Sequence, residues 1–110
     1  MITLKGIIEI NKKFDNGRIV NKASLEFALS TAKHSKDWVK QLAILTRAIL
    51  VDHPFEEGNK RTAAALIFSL LETQKVAYDP YKLDKAVFRI TKKNITGIEE
   101  IRRLIKDALR

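Results

Sequence analysis

Ala63-Ala64-Ala65-Leu66-Ile67-Phe68-Ser69-Leu70-Leu71 is apolar almost all round. A surface helix carries one apolar stripe, so a helix with this pattern belongs where neighbours cover it on several sides. Pro54 limits it upstream, because the residue before a proline is pushed out of the helical region. The spacing therefore predicts a helix from near Asn59 to about Lys75, placed at the centre of the fold.

Helical spacing continues on both sides of that segment. Trp38, Leu42, Leu45 and Ile49 predict a helix from about Lys36 to Val51. Leu25, Ala28, Leu29 and Ala32 predict another, ending near His34-Ser35. Leu4, Ile7, Ile8 and Phe14 suit a first helix, although Gly6 and the Ile and Thr content also suit a strand. Asp15-Asn16-Gly17 is a turn signal, and Arg18-Ile19-Val20 after it can be extended. Asp79-Pro80 marks the next break, followed by a helix through Leu83, Ala86, Val87 and Ile90. Thr96 and Glu99 have the form of a capping box ahead of Ile98, Ile101, Ile105 and Ala108. The expectation is a single all-α domain over residues 1–110. Five to six helices form a compact bundle around a central buried helix, with a short extended flap.

A chain of 110 residues can bury one core but not two. It has no cysteine, which excludes a disulfide framework and thiolate chemistry. No secretory signal or membrane-spanning run is apparent, so a cytoplasmic location is expected. The formal net charge is +8, which raises the possibility of nucleic acid. The cations, however, are spread along the chain among Asp and Glu, and no aromatic residues interleave with a basic cluster as in a stacking platform. Nucleic acid is therefore not expected as the principal partner. Trp38, Phe27, Phe68 and Phe88 are assigned to the core, and His34 to a helix end without a role.

Chemistry concentrates in His53-Pro54-Phe55-Glu56-Glu57-Gly58-Asn59-Lys60-Arg61. His53 is a side chain whose ordinary pKa lies near neutrality, so it can take a proton from a hydroxyl. Glu57 offers a hard oxygen ligand suited to Mg²⁺. Gly58 lets backbone approach a ligand. The unbonded N–H groups of a first helical turn attract anions, and Asn59 can donate to the same place. Lys60 and Arg61 are cations where the helix dipole disfavours them, which suggests an anion to offset them. Phe55 most simply packs inward and anchors the loop. A base, a metal carboxylate and a cationic anion cradle within nine residues describe phosphoryl or nucleotidyl transfer.

This stretch resembles the signature of the Fic/Doc (Fido) family, H-x-F-x-[DE]-[GA]-N-[GK]-R. At average residue usage such a match arises by chance about once in ten million start positions. The resemblance implies ATP as co-substrate and His53 as the base that activates a Ser or Thr hydroxyl of a target protein. It implies Mg²⁺ on Glu57, and phosphates on Asn59, Arg61 and the backbone from Gly58 onward, with Phe55 structural. Arg18, Ile19 and Val20, within Gly17–Lys22, would correspond to the flap that aligns the target by strand pairing.

Two departures separate subtypes. AMP-transferring relatives usually have Gly in place of Lys60 and a second Arg in place of Ala64. Lys60 with Ala64 resembles the Doc branch, which transfers the terminal phosphate and is paired with a small antitoxin. Gly58 is the choice usual among AMP-transferring members. The inhibitory S/T-x-x-x-E motif has no clean copy, because Thr96 to Glu100 is followed by Ile101. That favours control by a separate protein. The readings carried forward are Doc-type phosphate transfer, Fic-type AMP transfer, and a helical module that binds nucleotide or nucleic acid without catalysis.

Overall fold

A computed structural model describes residues 2–110 as six helices: α1 (Leu4–Asn11), α2 (Lys22–Lys33), α3 (Trp38–Asp52), α4 (Asn59–Thr73), α5 (Pro80–Lys92) and α6 (Ile98–Asp107). Side chains that compete with the backbone in a helix interior instead start four of them. Thr3 accepts from the Gly6 N–H, Asn21 from Ser24, Asp37 from Val39 and Lys40, and Asp79 from Tyr81 and Lys82. Pro80 occupies the first turn of α5, where its missing N–H costs nothing. The all-α bundle agrees with the sequence expectation, and Leu4–Asn11 is helix rather than strand. No helix among the described residues is long and apolar enough to cross a membrane.

The centre of the bundle differs from the expectation. The hub is α3, not α4: α3 packs against α2, α4, α5 and α6, whereas α4 meets α1, α3 and α5. Nine of the 15 residues of α3 are buried, from Val39 to Leu50, against five of 15 in α4. The run Ala63–Leu71 is apolar but begins with small residues, so it covers less than the Leu and Ile side chains of α3 do. The capping box also fails. Gly97 is the N-cap of α6 and makes no side-chain cap bond, while the Thr96 carbonyl accepts from Arg47 Nε at 2.6 Å. Phe27 and Phe88 are not core residues; they are 75% and 60% exposed. Phe68 is half-buried and packs on Tyr78, with ring centroids 5.6 Å apart.

Two isolated bridges close the loops. Tyr78 pairs with Leu109, which ties the chain end to the α4–α5 link, and Ile19 pairs antiparallel with Phe55. The second bridge fixes the loop between α3 and α4.

Candidate active site

α3 ends at Asp52, and His53 follows in the left-handed region at φ 48 and ψ 62. A residue with a β-carbon rarely holds this conformation, and such outliers cluster at functional positions. His53 is solvent-exposed directly after the rigid end of the central helix. Asp52 beside it accepts from Ser24 Oγ at 2.5 Å, which secures α2 to the same corner.

From Pro54 onward the loop is held on both sides. The Val20 and Asn21 N–H groups donate to the Pro54 carbonyl at 2.7 and 3.0 Å, and the Glu56 N–H donates to the Arg18 carbonyl at 3.0 Å. The segment read as a flap is thus extended, with Arg18 and Val20 bonded to the loop. The N–H and C=O of Ile19 face the other edge and make no backbone bond among the described residues. Phe55 is 1% exposed and anchors the loop in the core, as expected. Asn59 Oδ1 accepts from the Phe55 N–H at 3.1 Å, and Asn59 Nδ2 donates to the Phe55 carbonyl at 3.0 Å. The Asn59 amide therefore braces the loop and keeps one Nδ2 hydrogen for a ligand.

Asn11 completes the clamp. It is fully buried, and its Nδ2 donates to the Glu57 carbonyl at 2.9 Å and to Thr62 Oγ1 at 3.0 Å. Its Oδ1 accepts from the Gly17 N–H at 2.9 Å. One side chain from α1 thus joins the turn before the flap, the loop and the first turn of α4. Nothing in the sequence marks Asn11, which reads as an ordinary polar residue at a helix end. Gly58 has φ 77, and a β-carbon there would lie 3.1 Å from Asn11 Nδ2. The close approach that requires glycine here is therefore to Asn11.

The first turn of α4 is open. Its first helical bond is Thr62 N–H to the Gly58 carbonyl at 2.9 Å, and no side chain caps the helix. The N–H groups of Asn59, Lys60 and Arg61 have no partner among the described residues. Such a turn is a ready anion site. Lys60 and Arg61 are exposed and make no ion pair among the described residues. Glu57 is likewise exposed and unpaired among them, whereas Glu56 faces Arg18 at 3.8 Å. The site is thus an open surface, not blocked by apolar packing. A groove of about 450 Å³ between α2 and α3, lined in part by Ser24, Phe27 and Arg47, ends at Asp52 beside it.

No group of three His, Asp or Glu able to hold a metal occurs among the described residues. Mg²⁺ does not need one: it commonly takes one or two carboxylates together with substrate phosphates. An exposed, unpaired Glu57 next to an anion cradle fits that donor set.

Residues 5–71 match the model of the Fic/DOC family. No curated protein and no solved structure gives a significant match. The match runs from α1 through the clamp, the flap and the loop into α4, and so includes every element that builds the site. With more than half of its length covered, the chain belongs to the Fic/DOC family, whose members generally transfer nucleotide moieties to proteins.

Proposed function

We propose that this protein is a Doc-like transferase that moves the terminal phosphate of ATP to a Ser or Thr hydroxyl of a target protein in the cytoplasm. The observation that carries this reading is the uncapped first turn of α4. Three N–H groups and two cations without partners among the described residues lie there, at the end of a loop that begins with His53. Phosphoryl transfer asks a protein mainly to position the groups and to stabilise charge. The amides of Asn59, Lys60 and Arg61 bind phosphate oxygens, and the Arg61 guanidinium can grip one bidentately. Glu57 would hold Mg²⁺, which would supply positive charge to offset that of the phosphates. His53 takes the proton of the target hydroxyl. The hydroxyl oxygen bonds to the γ-phosphorus, the bond to the β,γ-bridging oxygen breaks, and ADP leaves. The outward edge of Ile19 can pair with an extended target segment.

Terminal-phosphate transfer is favoured over AMP transfer by Lys60 and by the absence of a cation at Ala64, one turn after Arg61. Gly58 argues less for AMP transfer than its identity suggests, because its positive φ and the contact with Asn11 already require it. The lack of a clean inhibitory motif supports control by a small separate antitoxin. Purification from the native host should recover such a partner, and recovery of the chain alone counts against it. The reaction is tested with ATP labelled at the α or the γ position, incubated with host extract. Label from γ-ATP alone on a protein is expected. Label from α-ATP alone assigns AMP transfer. No label from either, with a His53 variant as toxic to cells as the wild type, overturns the enzyme reading.

A further inference from the structure

We propose that the exposed face of α5 is a second binding site, one that takes single-stranded RNA. This site lies outside residues 5–71 and shares no residue with the transfer site. Between Lys82 and Lys93 the chain carries five cations and only one carboxylate, Asp84. Half of the formal net charge of +8 therefore lies on this stretch of α5 together with its C-cap, Lys93. Tyr81, Lys85, Phe88 and Lys92 follow at intervals of four, three and four, which places them along one helix face. Lys85 Nζ lies 4.8 Å from the Tyr81 ring centroid, and Lys92 Nζ lies 5.4 Å from that of Phe88. The absence of interleaved rings and cations, inferred from the sequence, is thus corrected by the helix geometry.

The rings are 68% and 60% exposed. Neither stabilises the core, which receives Leu83, Ala86, Val87 and Ile90 from the opposite face. Seven residues of helix separate the rings by about 10 Å, leaving room for a base on each and phosphates passing the lysines between. Rings that stack bases beside cations that follow a backbone are what single strands bind. A groove of about 530 Å³ between the flank of this face and α6 is lined in part by Lys85, Phe88, Arg89, Lys92 and Asp107, while Tyr81 stands outside it. A concave groove beside two separate rings fits a nucleotide strand better than a membrane surface, which takes a broad apolar helix face. An acidic peptide would answer the charge but leave the rings unused. Asp107 has no ion pair among the described residues. A carboxylate beside a polyanion is unfavourable unless the ligand donates to it, and the ribose 2′-hydroxyl is such a donor, absent from DNA.

The test is fluorescence anisotropy with a short mixed-sequence single-stranded RNA, the matching DNA, and poly-glutamate as competitor. The expected result is RNA binding that weakens steeply with salt and falls about 5- to 150-fold for each of Tyr81→Ala and Phe88→Ala. Thermal melts check that these surface variants remain folded. His53→Gly should bind RNA unchanged, and Asp107→Ala should narrow the preference for RNA over DNA. No RNA binding at low salt overturns the proposal. So does binding indifferent to both rings, DNA bound as tightly as RNA, or displacement by poly-glutamate at equal charge.

Discussion

His53 holds a left-handed backbone at φ 48, and a β-carbon makes that region cost about 1–2 kcal/mol. Glycine removes that cost but adds about 0.5–1 kcal/mol of chain entropy. His53→Gly should therefore leave thermal stability equal or slightly raised, while transfer falls about 10²- to 10⁴-fold as the base is lost. A large loss of stability would instead make His53 a structural residue. Gly58 presents the reverse case. Gly58→Ala should add about 1–2 kcal/mol through its positive φ, offset in part by about 0.5–1 kcal/mol of chain entropy, and crowd Asn11 Nδ2 at 3.1 Å; Asn11→Ala should cost about 1–3 kcal/mol through the buried partners it leaves unpaired. Denaturant melts of the double variant should fall short of the sum, because both changes disturb one contact. The motif residues were legible from type and spacing alone. Asn11 was not, because its role arises only when α1 crosses the first turn of α4, a contact spanning 46 to 51 positions in sequence.

At the scale of elements, the loop from His53 to Gly58 owes its shape to neighbours. Phe55→Ala should cost about 3–5 kcal/mol, whereas Phe55→Leu should retain most of the fold. Val20→Pro removes the N–H that donates to the Pro54 carbonyl at 2.7 Å at a position whose side chain is exposed. Mg·ATP affinity should survive that change, and transfer to the target protein should decline. Loss of both together would show that the flap shapes the nucleotide site rather than presenting the target. The helices themselves were readable because their apolar spacing is local. Which helix is central was not, because apolarity does not report how large a neighbour each side chain can cover. The Ala-rich start of α4 resembles a buried helix in sequence, yet α3 takes the middle with larger side chains.

Across the molecule, Asp37 connects the start of the central helix to α6. Its carboxylate caps Val39 and Lys40 and meets Arg102 Nε at 2.8 Å. Burial pushes the Asp37 carboxyl up, but the Arg102 hydrogen bond and charge, with the two backbone N–H groups, bring it below the usual carboxylate range. A carboxyl depressed in the folded state stabilises above its unfolded pKa, near 3.9 for Asp. That stabilisation is lost as pH falls through the lower folded value. Asp37→Ala should therefore cost about 0.5–2 kcal/mol at neutral pH through the lost cap and lessen the fall in stability on acidification below about pH 4. A variant with an unchanged acid limb would assign that limb to other groups. The most direct test of the account is an ¹⁵N-resolved NMR titration with Mg·ATP. The largest amide shifts should fall on Asn59, Lys60 and Arg61, with His53 and Glu57 next. Shifts absent there, or concentrated on α5, would contradict the assignment of the phosphate site to the opening turn of α4.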